Sequence, residues 1–88
     1  MRGPAVLQFG TNWCGYCAAS EPVFRDVFST AEGLPVIKAE DAKGRPLGRA
    51  FRVKLWPTVV FLRDGEEVTR LVRPTSRTEV AEALAQVV

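Results

Sequence analysis

The sequence predicts a small α/β domain, a four-stranded mixed sheet with helices on both faces. Apolar residues alternate between short strand-like runs and helix-like spacing along residues 1–88, in the order β-α-β-α-β-β-α. Consecutive strands that are joined through a helix run parallel with a right-handed crossover. The last two strands are joined by the two-residue turn Asp64-Gly65, so they must be antiparallel. The chain is therefore expected to be one domain that contains both kinds of strand pairing.

The first half of the chain predicts a strand, a helix and a second strand. The apolar run at residues 5–9 stands between a proline and a glycine and is typical of a buried strand. Apolar side chains then recur four residues apart over residues 15–29, which predicts an amphipathic helix. Pro22 falls inside this helix and is expected to kink it. The second strand is predicted at residues 34–39.

The second half predicts a hairpin followed by a helix. The strands at residues 58–63 and 67–72 flank Asp64-Gly65, a pair that tolerates the positive φ angles of a tight hairpin turn. Ser76 and Glu79 form a capping box, in which the serine caps the start of the last helix. A polar loop before Pro57 is expected to include a short helix with apolar positions Leu47, Ala50 and Phe51.

Composition and charge limit the classes of binding partner that we expect. Twelve basic and ten acidic residues give a net charge of +2, and no basic block is present, so we expect no nucleic-acid partner. The longest apolar stretch, at residues 58–62, is too short to cross a bilayer, so we expect no membrane association. The N-terminal residues lack a secretory apolar region, which favours a cytoplasmic protein. We also expect a monomer.

The chain contains two cysteines, Cys14 and Cys17, separated by two residues. A structural disulfide here would close so short a loop that it would stabilise the fold by only about 2 kcal/mol. A closed zinc site usually takes four Cys or His ligands, and this chain has two cysteines and no histidine. Redox chemistry is therefore favoured over a structural bridge, and no metal is expected.

The positions of the two cysteines suit disulfide exchange. One thiol must attack a disulfide, and a second must release the mixed disulfide that results. Cys14 would stand at the start of the first predicted helix, where backbone N–H groups and the helix dipole favour a thiolate. Cys17 would lie one turn later, within reach of the intermediate. The chain therefore has the elements of a thiol–disulfide oxidoreductase.

Three segments together resemble the thioredoxin-like family: Trp13-Cys14-Gly15-Tyr16-Cys17, Pro22 within the helix, and Trp56-Pro57-Thr58 before the hairpin. The resemblance covers about residues 5–88 and lacks the first strand and helix of the family. It implies the minimal thioredoxin-like fold, which glutaredoxins also use.

The resemblance also implies roles for individual residues. Cys14 would be the nucleophile and Cys17 the resolving thiol, while Pro57 would be cis and would face them. The backbone beside Pro57 would pair with an extended segment of a protein disulfide substrate, and a thioredoxin-reductase-type donor would supply electrons without a bound cofactor. The substrate-binding residues would be Trp13, Gly15, Tyr16, Trp56 and Pro57, with core packing as the alternative for Trp56.

Departures from the family pattern concern redox tuning. Gln8 stands where thioredoxins have a buried aspartate, while Lys38 occupies the position of that aspartate's lysine partner and would favour thiolate without opposition. Glu21 and Glu40 could replace the missing carboxylate, although a solvated surface role is favoured for each. Tyr16 replaces a proline and is similar to the residue in periplasmic disulfide isomerases, which leaves the direction of electron flow open.

Arg73 is a further departure from the family pattern, and the sequence disfavours two rival functions. Arg73 falls where the family has a glycine that lines the substrate groove; it is either a surface charge or a groove residue that prefers acidic substrates.

Glutathione-dependent reduction is disfavoured by Trp13 and by the lack of a Gly-Gly pair after the hairpin. A binding module without activity is disfavoured by the intact pair Cys14 and Cys17.

Overall fold

The structure is a computed structural model, and it describes most of the chain. Trp13, Cys14 and most of the predicted short helix lie outside the described residues, and residues 16 and 40 are described by their backbone alone. None of the helices in the described part of the chain is long and apolar enough to cross a membrane. The described ranges are residues 3–10, 15–40, 51–53, 55–74 and 76–88.

The described elements reproduce the predicted order. The sheet order is β2-β1-β3-β4, in which β1 and β2 are parallel while β1–β3 and β3–β4 are antiparallel. The predicted four-stranded mixed sheet is therefore confirmed. The elements are β1 (Pro4–Gly10), α1 (Gly15–Phe28), β2 (Val36–Glu40), β3 (Thr58–Arg63), β4 (Glu66–Val72) and α2 (Arg77–Ala85).

Local signals in the second half acted as predicted. Asp64 and Gly65 have φ angles of 54° and 83°, the positive values that a tight hairpin turn requires. Strand β4 begins at Glu66, one residue earlier than the pattern suggested. Ser76 caps α2, and its hydroxyl accepts a hydrogen bond of 3.1 Å from the backbone N–H of Glu79.

Both described helices pack against the same face of the sheet. Val6 of β1 and Phe61 of β3 face this layer, where the rings of Phe24 and Phe28 from α1 stack at 5.8 Å. The opposite face, which includes Phe9 and Val60, is covered in the described part by Phe51 and Val53. Phe51 is the last apolar position of the predicted short helix and lies in a turn, and Val53 follows it.

Candidate active site

The end of β1 lies directly beneath α1. Side chains alternate along a strand, so Gln8 and Gly10 continue the face on which Val6 meets the helix. A β-carbon added at Gly10 would lie 2.7 Å from Cys17 Sγ, closer than real contacts allow. The Cys17 sulfur therefore rests on the backbone at the carboxyl end of β1, and a glycine is needed at position 10 because of this approach.

The first cysteine of the pair is placed by sequence alone. Helix α1 begins at Gly15, the residue that follows Cys14 in the chain, and Cys17 lies in its first turn. Gly15 is exposed, and no atom of the described residues lies within 4 Å of the place where its β-carbon would be. Trp13, Cys14 and the Tyr16 side chain lie outside the described atoms, so their roles stay predictions.

The start of β3 reaches the same edge of the sheet. The antiparallel register pairs Phe9 with Thr58, which brings the next positions along, Gly10 and Pro57, to one end of the sheet. The Trp56–Pro57 peptide bond is cis, as the resemblance implies, and Pro57 is buried. The half-buried position of Trp56 leaves both rim and packing roles open. The edge where Cys17 is seated is thus also the edge where the cis proline lies.

Arg73 lies against this proline segment. Its backbone N–H donates to the Pro57 carbonyl oxygen at 2.9 Å, and its side-chain Nε donates to the Trp56 carbonyl oxygen, also at 2.9 Å. The residue has a φ of 50°, a left-handed conformation that glycine adopts more easily. The guanidinium is therefore a part of the candidate site, which favours the groove interpretation over that of an unrelated surface charge.

A polar cluster lies one helical turn from Cys17. Glu21 follows Cys17 by four residues, so the two side chains project from the same side of α1. Gln8 Nε2 donates to Glu21 Oε2 at 2.8 Å, and Lys38 Nζ donates to Glu21 Oε1. Lys38 and Gln8 are partners in the β1–β2 register, which is why both reach the same carboxylate.

The cluster bears on two expectations. The Glu21 carboxylate is bonded to side chains of two strands, while the Glu21 side chain stays 36% exposed. Lys38 forms an ion pair with Glu21, so the expectation that its charge acts without opposition is wrong. The four-residue spacing between Cys17 and Glu21 is the sequence signal that places Glu21 on the side of α1 that carries Cys17. The contact of Glu21 with Lys38 depends on the register of β1 with β2, which places Lys38 beside Gln8.

The carboxyl of Glu21 is more acidic than usual. Partial burial acts to raise its pKa, whereas the hydrogen bonds from Lys38 and Gln8 act to lower it. The positive charges of Lys38 and Arg25 add to the lowering, and the pKa of Glu21 ends below its ordinary value of 4.5. The group is therefore an anion at neutral pH, held one turn away from the Cys17 sulfur.

A β-α-β unit with a cysteine seated at the strand end, followed by a cis proline and an antiparallel hairpin, defines a protein of the thioredoxin fold. Residues 1–86 match the family model for thioredoxin, and the chain belongs to the thioredoxin family.

Several known proteins are similar to the chain. The structure of thioredoxin 2 from Pseudomonas aeruginosa PAO1 in its reduced form superposes with a TM-score of 0.85 at 51% identity, over 98% of this chain and 80% of that one. Thioredoxin H2-1 of Oryza sativa is 36% identical over 76% of this chain and 49% of its own length. Mycobacterium bovis thioredoxin is 29% identical over 97% of this chain and 74% of its own. The chain spans about half the length of the plant relatives it matches.

Proposed function

We propose that this protein is a dithiol–disulfide oxidoreductase that reduces disulfide bonds in other proteins through Cys14 and Cys17. The observation that carries the proposal is the seat of Cys17 Sγ on Gly10, at the sheet edge shared with Pro57. A thiol in that position, three residues after Cys14, is suited to resolve a mixed disulfide formed by its neighbour. Membership of the thioredoxin family supports the same chemistry.

The proposed exchange balances without a cofactor. Cys14 as thiolate attacks one sulfur of the client disulfide, a mixed disulfide forms, and the released client thiolate takes up a proton. Cys17 loses its proton and attacks Cys14 Sγ, which frees the second client thiol. Two electrons pass to the client, and the protein is left with a Cys14–Cys17 disulfide. Of the two protons that the client gains, one matches the proton that Cys17 gives up and the other comes from solvent, because Cys14 starts as a thiolate. A thioredoxin-reductase-type donor must then return the electrons.

The cluster around Glu21 is proposed to give the two cysteines different ionisation states in the resting protein, one a thiol and the other a thiolate. An anion one turn from Cys17 disfavours a second negative charge there, and the paired Lys38 offsets this only in part, so Cys17 is proposed to be the thiol of the pair. The partners Gln8 and Lys38 keep Glu21 ionised and fixed in place. Cys14, which directly precedes the helix, would be the thiolate under the same conditions. In this proposal Gln8 and Lys38 tune the site through Glu21.

A redox titration and a coupled reductase assay test the proposed direction. A reductase of a reducing cytoplasm should have a potential close to that of thioredoxin, about −270 mV, and should reduce insulin with NADPH and thioredoxin reductase. Tyr16 favours the rival function, an isomerase or oxidant of an oxidising compartment, for which a potential of about −180 to −120 mV is expected. The potentials expected for a reductase and for an isomerase or oxidant do not overlap, so the redox titration decides between these two functions.

Two controls separate the remaining functions. Turnover with glutathione as the sole electron donor would indicate a glutaredoxin-type reductase. Loss of insulin reduction in Cys14→Ser shows that the activity belongs to the cysteine pair, whereas a wild-type protein inert with every donor would indicate a binding module.

A further inference from the structure

Arg73 holds two consecutive carbonyl groups at the candidate active site. Its backbone N–H binds the carbonyl of Pro57 and its side-chain Nε binds the carbonyl of Trp56. The backbone bond would be available to any residue other than proline, but the bond to Trp56 needs a long side chain with a donor. The arginine therefore fixes its own guanidinium beside the segment that precedes β3.

The backbone conformation of Arg73 makes this arrangement unusual. A φ of 50° is rare for residues other than glycine, asparagine and aspartate, and it costs an arginine about 1 kcal/mol relative to the usual region. Arg73 is also exposed, so burial of its stem offsets little of that penalty. The side-chain bond to Trp56 is the contact that distinguishes an arginine from a glycine at this position.

We propose that Arg73 selects clients that carry an acidic residue next to the disulfide; this inference rests on the proposed function. An extended client segment that pairs with the backbone of Trp56 would pass beside the guanidinium. A carbonyl oxygen has a second lone pair, so Trp56 can accept Nε of Arg73 and a client N–H together. A carboxylate on the client then meets a planar, permanently charged group whose orientation is already fixed.

The other arginine near the end of β4 is already engaged. Arg70, three residues before Arg73, makes a bidentate ion pair with Glu67 at 2.7 and 2.6 Å. An acidic client residue at this edge therefore gains little from Arg70. The bond from Arg73 Nε to the Trp56 carbonyl oxygen is what places a guanidinium beside the client segment.

The test compares two peptide disulfides that are identical except for Glu or Gln beside the reactive cysteine. The wild type should reduce the Glu peptide with a kcat/KM about threefold higher, the size expected for one solvent-exposed ion pair. The ratio should fall to about one in Arg73→Gln and should be partly kept in Arg73→Lys. It should also shrink in about 1 M salt, where charges are screened beyond about 3 Å.

Two further variants make the result specific to the site. Arg73→Gly suits the positive φ, so it should fold at least as well as the wild type and should also lose the preference. Arg63→Gln also removes one positive charge, but at the far end of β3, roughly 17 Å along the strand from Thr58. This variant should keep the wild-type ratio. Thermal melts of all variants establish that each one is folded.

The outcomes separate this inference from the proposed function. Equal rates on both peptides with an active wild type would overturn the role of Arg73 and leave the oxidoreductase proposal intact. An unchanged preference in both Arg73→Gln and Arg73→Gly would do the same. A wild type that reduces neither peptide and does not reduce insulin would overturn both.

Discussion

Replacement of Gly10 by alanine is the most direct test of the geometry at the site. The added β-carbon would lie 2.7 Å from Cys17 Sγ and 3.5 Å from Cys17 Cβ. Comfortable contacts between such atoms start near 3.5 Å, so the sulfur and the strand must separate by about 1 Å. Because Cys17 belongs to α1, either its side chain must turn away or the start of the helix must move.

The expected loss of stability follows from two opposing effects. Overpacking of this kind costs about 1–3 kcal/mol. Alanine also restricts the unfolded chain relative to glycine, which stabilises the folded state by about 0.4–1 kcal/mol. We therefore expect Gly10→Ala to lower the free energy of unfolding by about 1–2 kcal/mol, measured by urea denaturation of the reduced protein.

Gly15→Ala is the matched control for stability. The chemical change is the same, but the new methyl group at Gly15 would meet no atom of the described residues within 4 Å. Gly15 is the first residue of α1, where alanine is the better helix former, so this variant should gain up to about 1 kcal/mol. The two variants should thus differ by about 2 kcal/mol in opposite directions.

The same substitution should affect the chemistry. Displacement of Cys17 Sγ slows its attack on the mixed disulfide, so Gly10→Ala should accumulate that intermediate in stopped-flow reduction of a peptide disulfide. Equal stabilities of Gly10→Ala and Gly15→Ala, together with a wild-type resolving rate, would refute the close approach of Cys17 to β1.

Three further substitutions test other parts of the structure. Cys17→Ser should accumulate mixed disulfides with client proteins through Cys14, and Cys14→Ser should trap far fewer; equal trapping on non-reducing gels would contradict the assigned roles. The lowered pKa of Glu21 stabilises the fold above its ordinary pKa of 4.5, and this contribution is lost as the pH falls through the folded-state value. Glu21→Gln should therefore show a weaker loss of stability in acid, by less than about 1 kcal/mol because the ion pair is exposed, and a lower pKa of Cys17 by thiol titration. Ser76→Ala removes the hydroxyl that caps α2 and should cost about 1 kcal/mol in urea unfolding, whereas Ser76→Asp should retain most of the stability.

Local signals in the sequence determined the elements of the fold. The pair Asp64-Gly65 specifies a tight turn because both residues tolerate positive φ, and Ser76 specifies a helix start because its hydroxyl reaches a backbone N–H three residues on. The four-residue spacing of Phe24 and Phe28 places both rings on one face of α1. Each of these effects acts within about one turn of chain, so a sequence is enough to predict it.

The contacts that define the candidate site were decided by the tertiary structure. Glu21 is 13 residues from Gln8 and 17 from Lys38, and Arg73 is 17 residues from Trp56. No local pattern encodes such pairs, because which side chains meet depends on how β1, β2 and β3 align beneath the helix. The sequence could indicate that a carboxylate was missing at Gln8 and that a charge replaced glycine at position 73. Only the packing of α1 on the sheet brought Glu21 to that carboxylate position, and only the approach of β4 to β3 set the guanidinium of Arg73 against the carbonyl before the cis proline.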